Sequence, residues 1–360
     1  MSGGVDSSLA AALLVEKGYD VTGVHLVCWE EPGCRAPEDR KDALAVALRL
    51  GIPFEVLDFQ EEYQERVIEY FYREYEAGRT PNPDVVCNRE IKFGLFLEWS
   101  LRNGFGYVAT GHYARIKNQG QYHLLKGVDP KKDQSYFLYT LTQEQLKHIL
   151  FPVGHLIKEE VRREARRRGL PTADKPDSVG ICFVGDVDVQ EFLRRRISEK
   201  HGEVVDTDGN VIGEHKGVWF YTIGQRHGFT INSNIDSQVL NLKHAIPPLY
   251  VVSKDVARNK LVVGFGPETY NDLFSVRDVH WINGFRKISN LHAKGRAGKS
   301  QISNLSVRIR HGGELIPGEL TFKGSTLHGV RLSEPQRGIA PGQAVVFYRD
   351  NECLGGGVIS

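Results

Sequence analysis

Ser2-Gly3-Gly4-Val5-Asp6-Ser7-Ser8 is the stretch on which the reading of this chain turns. It leads straight into Leu9-Ala10-Ala11-Ala12-Leu13-Leu14-Val15-Glu16-Lys17, an apolar-periodic run that predicts a helix ending at Gly18. A glycine pair lets the backbone turn tightly and gather several N–H groups about a phosphate. The helix N-terminus adds its partial positive charge, and Ser7 and Ser8 offer hydroxyl donors. The stretch reads as an anion cradle. It is not the Walker A loop, whose Gly-x-x-x-x-Gly-Lys-Ser/Thr pattern needs a lysine that is absent here. A bare Gly-Gly-x-Asp is as readily a turn with a helix cap, so the full seven residues carry the weight.

Outward from the loop, Val21–Val27 is a buried-strand candidate. Asp39–Leu50 predicts a second helix closed by Gly51, and Phe54–Leu57 a second strand. Strand–helix–strand order implies a parallel sheet, with ligands beyond the carboxyl ends of its strands. A phosphate loop of this kind ordinarily follows a strand, whose place here falls before Met1. SGGVDSS resembles the PP-loop of the N-type ATP pyrophosphatases, enzymes that split ATP into AMP and pyrophosphate to activate a carbonyl oxygen. That likeness names a class of chemistry and no substrate.

A length of 360 residues allows two or three domains with cores of their own. Hydrophobic content of 41% and charged content of 25% are those of an ordinary globular protein. No apolar run approaches the roughly 18–20 residues of a membrane span, and no signal peptide is legible, so a cytoplasmic location is expected. Net charge is only +1, which confines any nucleic-acid surface to a local patch. Cys28, Cys34, Cys87, Cys182 and Cys353 are odd in number, widely spread and form no CxxC pair. Neither zinc nor an iron–sulfur cluster is expected, and no disulfide scaffold.

Further along, Glu61–Ala77 predicts a helix, and Gly78–Asp84, with prolines at 81 and 83, an extended loop. Arg89–Asn103 returns to helix, Tyr107–Thr110 is a short strand, Lys117–Gln121 a polar hairpin, and Gln143–Leu150 a helix. Lys158–Gly169 carries six basic and three acidic side chains, and Arg194-Arg195-Arg196 follows. Both basic runs suit an RNA backbone and suit a solvated helix face equally. From Gly202 onward glycine-punctuated strands take over, giving three expected units: 1–201, 202–274 and 275–360, the last a β-barrel. Asn290–Asn304, rich in Gly, Lys and Ser, reads as a hairpin loop.

Asn82-Pro83-Asp84-x-x-Cys87-Asn88 puts a carboxylate three residues before a thiol on a proline-stiffened segment, a pairing suited to acid–base work and equally to a turn over a buried cysteine. Cys182, in Gly180-Ile181-Cys182-Phe183-Val184-Gly185, is locally best read as a buried cysteine in an apolar strand; the flanking glycines also suit a thiol that must swing.

The ordered set is more specific than any member. SGGVDSS at 2–8, GRTPNPDVVCN at 78–88, ATGHYAR at 109–115, KDQSYFL at 132–138 and GICFVG at 180–185 are followed by YTIGQRHG at 221–228, PLYVV at 248–252, PGQAVVFY and CLGGG. Over essentially its whole length the chain resembles the tRNA-uridine 2-sulfurtransferases, the bacterial MnmA and mitochondrial TRMU type. The resemblance implies an α/β parallel-sheet PP-loop domain followed by two small β domains. It implies that ATP, with Mg²⁺ bridging its phosphates, adenylates the 2-carbonyl oxygen of the wobble uridine (position 34) of tRNAs of the Lys, Glu and Gln type. A persulfide on Cys182, loaded by a donor such as a cysteine desulfurase or sulfur relay protein, then delivers sulfur. Cys87 matches the nucleophile that releases it by forming a disulfide with Cys182.

By the same resemblance, Ser2, Gly3, Gly4, Val5, Asp6 and Ser7 hold the triphosphate, while Leu26, where the family usually has Met, and Gly111 lie against the nucleoside. Asp84 is the acid–base residue beside the target base. Asn82, Pro83, Asp84, His112, Lys132, Asp133, Gln134, Arg310, His311 and Gln343 match tRNA-contacting positions. His311 stands where the family has Tyr, a better stacking partner for a base. Residues 229–247 replace a shorter Gly-rich segment, and Cys28 stands where Asn or Lys is usual. Two other readings are a PP-loop ligase with a different substrate, which needs neither cysteine, and an RNA-binding protein that turns over no nucleotide.

Overall fold

The computed structural model describes residues 1–30, 35–177, 188–232, 247–284, 293–294, 300–323 and 326–360. Cys34, Cys182, most of 229–247 and part of the 290–304 loop lie outside the described residues.

Helix α1 (Val5–Glu16) starts four residues before the apolar run does, because Asp6, Ser7 and Ser8 form its first turn. Strand β1 (Gly23–Val27) runs parallel to β2 (Phe54–Asp58), joined through α2 (Ala36–Leu50), whose C-cap Gly51 is left-handed. A second parallel pair, β3 (Val108–Ala109) with β6 (Ile149–Leu150), completes the α/β layer. The predicted helix at 143–150 stops at Leu146, after the short helix Gln143–Leu146, because Ile149 and Leu150 are taken into this pair. Helix α3 is continuous through Gln60–Tyr63, a π-helical Gln64–Ile68 and Glu69–Glu76.

The 78–88 segment departs from expectation. Proline is excluded from a helix interior but suits its first position, where the missing N–H has no partner to lose. Pro83 takes that position, Asn82 caps the helix by accepting from Val85 N–H at 3.3 Å, and a helix (α4) runs through Pro83–Cys87, a π-helical Asn88–Leu95 and Phe96–Arg102. Asp84 and Cys87 therefore occupy the first turns of a helix rather than a loop. Their i, i+3 spacing places them on neighbouring positions of one face.

The second half is sheet. A sheet of five strands among the described residues, Gly202–Gly264 at its limits, packs on α3 and α4. The shared core contains Tyr63, Phe71 and Tyr75 of α3, Cys87 and Ile91 of α4, and Val204, Ile212, Leu261 and Val263 of the sheet. Among the described residues the C-terminal barrel sheet has ten strands, and two of them come from far upstream: β4 (Ala114–Asn118) and β5 (Tyr122–Lys126) join its edge where Leu124 pairs with Cys353. The polar hairpin expected at 117–121 is the tip of this ribbon. The α/β part and the barrel are thus one hydrogen-bonded assembly.

All three parts meet at Thr80. Its N–H donates to Pro341 O (2.8 Å), its hydroxyl pairs with that of Thr222 (3.0 Å), and the Gln343 amide donates to Thr80 O and Pro81 O at 2.9 and 3.1 Å. The segment entering α4 is fixed from the barrel and from the central sheet at once. That fixes Asp84 and Cys87.

Candidate active site

The phosphate loop is built by its own side chains. The Ser7 and Ser8 hydroxyls both donate to Gly4 O (3.1 and 2.8 Å), and Ser2 N–H donates to the Ser7 hydroxyl at 3.2 Å. Gly4 gives no side-chain cap, so the first-turn N–H groups of α1 are left for an anion. Gly3 has φ +71°, and a Cβ there would run into the Asp39 carbonyl at the start of α2. A Cβ on Gly111 would stand 2.6 Å from Ser7 N and from Asp6 C. The Ala109–Tyr113 segment therefore presses directly on the loop. We expect Gly111→Ala to push the loop aside and weaken ATP binding at least tenfold, read by calorimetry, with little change in tRNA binding. Leu26 lies half-buried on β1.

Asp6 is the loop's one carboxylate. Tyr113 O–H donates to its Oδ1 (2.7 Å), and the Lys158 ammonium contacts both its oxygens at 2.8 Å. Burial, then the Asp6 charge, pushes the Tyr113 phenol far above its ordinary range, so it stays a donor. Lys158 also contacts Asp177 at 2.8 Å, and Asp177 takes Lys132 and Arg162 at 2.7 Å each. Burial alone raises the Asp177 carboxyl, but hydrogen bonds from Lys132 and Lys158 outweigh it and hold it at about 2.

On α4, Cys87 is 4% exposed and Asp84 is partly buried, its carboxyl raised by burial with Lys92 pulling the other way. His112 is buried against Phe93 and Phe151, bonded to the Thr110 hydroxyl at 2.7 Å. Burial, with the nearby Lys92 charge, holds the imidazole neutral well below its ordinary range.

The residues assigned to RNA by resemblance fall into different settings. Lys132 pairs with Asp177, while Gln134 grips the Tyr113 backbone from both sides, Oε1 accepting from Tyr113 N–H (3.0 Å) and its own N–H donating to Tyr113 O (2.9 Å). Asp133 is buried and salt-bridged to Arg308 at 2.7 Å. His311 is exposed and packs on Phe137 with ring centroids 4.3 Å apart. Arg310 and Gln343 line a cleft of about 620 Å³ between the Thr222–Gly224 turn and the barrel. On the same cleft Arg337 lies between the rings of Tyr250 and Tyr270, at 3.8 and 4.7 Å. Tyr113, Asp177 and Arg337 were not singled out from sequence. Tyr113 stands inside the ATGHYAR stretch, but nothing local to Asp177 or Arg337 marks them.

Three family models match in succession: a tRNA methyl transferase HUP domain over 1–186, a tRNA methyl transferase PRC-barrel domain over 190–265, and an aminomethyltransferase beta-barrel domain over 271–359. Proteins named tRNA-specific 2-thiouridylase MnmA are similar along the whole chain. That of Levilactobacillus brevis is 42% identical, that of Geobacillus thermodenitrificans 44% and that of Streptococcus pyogenes 45%, each alignment covering 100% of this chain and 93% of the relative. The chain belongs to the tRNA-specific 2-thiouridylase family. An NMN synthetase structure from Francisella tularensis is similar over 49% of this chain and 64% of that one, at 19% identity and a TM-score of 0.32. Within the 2-thiouridylase family the present fold order, α/β layer, small sheet, then barrel, follows the three matched models. No described helix is long and apolar enough to cross a membrane.

Proposed function

We infer that this chain forms 2-thiouridine in tRNA, using ATP to activate the base and a cysteine persulfide to supply sulfur. The observation that carries the reading is the joint presence of an uncapped phosphate loop at Ser2–Ser8 and a buried thiol, Cys87, one helical turn from an acid–base carboxylate. The matched models speak of methyl transfer and the relatives' names of thiolation. A buried thiol in a chain that also carries a phosphate loop serves the second chemistry.

A uridine 2-carbonyl has no leaving group. Its oxygen attacks the α-phosphorus of ATP, pyrophosphate departs, and the adenylated oxygen can then leave as AMP. The first-turn N–H groups of α1 and the hydroxyls of Ser2 and Ser7 bind the phosphates. Mg²⁺ prefers phosphate oxygens, water and one or two carboxylates; Asp6 is the carboxylate that would hold it, and the ion would supply positive charge to the phosphates. The terminal sulfur of a Cys182 persulfide attacks C2 and AMP leaves. The Cys87 thiolate then attacks the Cys182 sulfur, forming a disulfide and leaving the thio group on the base; a cellular thiol reduces the disulfide. Asp84 exchanges the proton beside the base. The anticodon loop is single-stranded, so its base is extracted at little cost. Lys132, Arg310 and His311 face the RNA, which arrives across the cleft next to the Thr80 junction. We assign the units 1–201, 202–274 and 275–360 to these tasks, a persulfide-donor protein as partner, and a cytoplasmic site of action.

Asp84→Asn separates cost from use. A carboxyl whose folded pKa is raised destabilises the fold as pH climbs through the carboxylate range, because the charged form is the one burial penalises. The variant should therefore resist urea better than the parent at pH 7, an advantage that shrinks toward pH 4. Thiolation should fall by about 10²-fold or more, the usual loss on removing a general acid–base.

The deciding experiment is mass spectrometry of tRNA nucleosides after incubation with the protein, ATP, Mg²⁺, a persulfide source (a cysteine desulfurase with cysteine) and a reducing thiol. A mass gain of sulfur-for-oxygen on uridine, dependent on ATP, is the expected result. ATP-dependent ligation without thiolation would move the chain to another PP-loop chemistry.

A further inference from the structure

The phosphate loop contains no lysine, yet an ammonium stands on it. Lys158 is 152 residues from Asp6 and is the first residue of the helix Lys158–Arg167, which packs on α1. Its side chain is only 14% exposed. The backbone around it is tied down: Lys158 N–H donates to Asp129 Oδ2 (3.0 Å) and Ile157 N–H to Glu160 Oε2 (3.1 Å).

The helix does not need this cation. A positive charge at a helix N-terminus opposes the helix dipole, whereas Arg166 and Arg167 in the last turn complement it. Nor does Asp177 need it, since Lys132 and Arg162 already pair with that carboxylate. Asp6 is different. Of the cations within salt-bridge distance of Asp6 among the described residues, Lys158 is the one present. Asp6 sits in the first turn of the helix that caps the loop.

We propose that Lys158 is a further nucleotide-binding residue of this site, supplying to the polyphosphate the positive charge that the loop's own sequence lacks. An ammonium has three donors. Here two are spent on the two oxygens of one carboxylate, Asp6, and the third on Asp177. Releasing one Asp6 oxygen frees a donor for a phosphate oxygen while the ion pair survives through the other. Asp6 and Asp177 then act as a two-point mount that aims the ammonium at the loop. The inference rests on ATP binding at Ser2–Ser8 and adds to it a residue from a distant helix.

Calorimetry of the full chain with ATP, AMP and tRNA in separate titrations tests it, on the parent and on Lys158→Gln. A charge-assisted hydrogen bond lost from the phosphates should raise the ATP dissociation constant roughly ten- to a hundredfold. AMP affinity should change less than threefold and tRNA affinity not at all. In turnover the loss should fall on KM for ATP more than on kcat. Equal ATP affinity in parent and variant overturns the proposal, and so does a parallel loss of ATP, AMP and tRNA binding, which would make Lys158 a structural counter-ion. A parent protein that binds no ATP sinks the functional reading itself, and this inference with it.

Discussion

Cys87→Ala should abolish 2-thiouridine formation while pyrophosphate release from ATP in the presence of tRNA continues. In the proposed mechanism the two halves of the chemistry use different parts of the fold: adenylation the α1 cradle, and sulfur release a thiolate on α4. Removing a covalent nucleophile that acts as a unit with its partner costs roughly three orders of magnitude or more in rate. The residue is 4% exposed in a core with Ile91, Tyr63 and Val204, so alanine also removes a packed sulfur. Cys87→Ser nearly keeps that volume and separates the causes. Both variants should lose thiolation, and serine should unfold in urea nearer the parent. Ordinary 2-thiouridine yield from Cys87→Ser, measured by nucleoside mass spectrometry, would remove Cys87 from the mechanism. The same assay with Cys182→Ser should give the same pattern.

What the sequence disclosed was whatever is encoded locally. The loop at 2–8 is readable because glycines, a helix start and short polar residues act on one another within a few positions, and β1, α2 and β2 follow from periodicity and from Gly51. Pro83 was misread for a physical reason: a proline forbids helix on its N-terminal side yet favours helix at its own first position, and the pattern alone does not say which side governs. The long-range couplings carry no local mark. Nothing near Gln343 indicates that its amide holds Thr80 and Pro81, more than 260 residues away. Nothing near Ala114–Lys126 indicates that this hairpin extends the C-terminal barrel sheet. The basic run at 158–168 suits an RNA backbone or a solvated helix face by sequence, and its members divide: Lys158 and Arg162 turn to Asp177, while Arg168 clamps Glu16 and Glu164.

Asp133 is the sharpest instance, and it yields the largest expected effect on stability. Resemblance puts it among RNA contacts, yet its carboxylate accepts from Gly127 N–H (3.0 Å), Ser135 N–H (3.1 Å), the Ser135 hydroxyl (3.1 Å) and Arg308 (2.7 Å). The two side chains are 2% and 8% exposed, and the Arg308 guanidinium lies over the Tyr348 ring at 5.2 Å. Arg308 belongs to the barrel and Asp133 to the Lys132–Gln134 turn, so the pair bolts that turn to the barrel. Breaking a buried pair by deleting one partner leaves a desolvated charge behind, at a cost of about 3–5 kcal/mol. Arg308→Met should therefore lower the urea midpoint sharply. Asp133→Asn should do so less, since an amide oxygen still accepts from the two backbone N–H groups. The double variant should be more stable than Arg308→Met alone, because no uncompensated carboxylate remains. An effect on RNA would follow from the displaced neighbours: Lys132 would lose its aim at Asp177, and Gln134 its hold on Tyr113. A variant Arg308→Met with the parent's unfolding curve and only its tRNA affinity reduced would show that Asp133 serves the RNA directly and that the bolt is incidental.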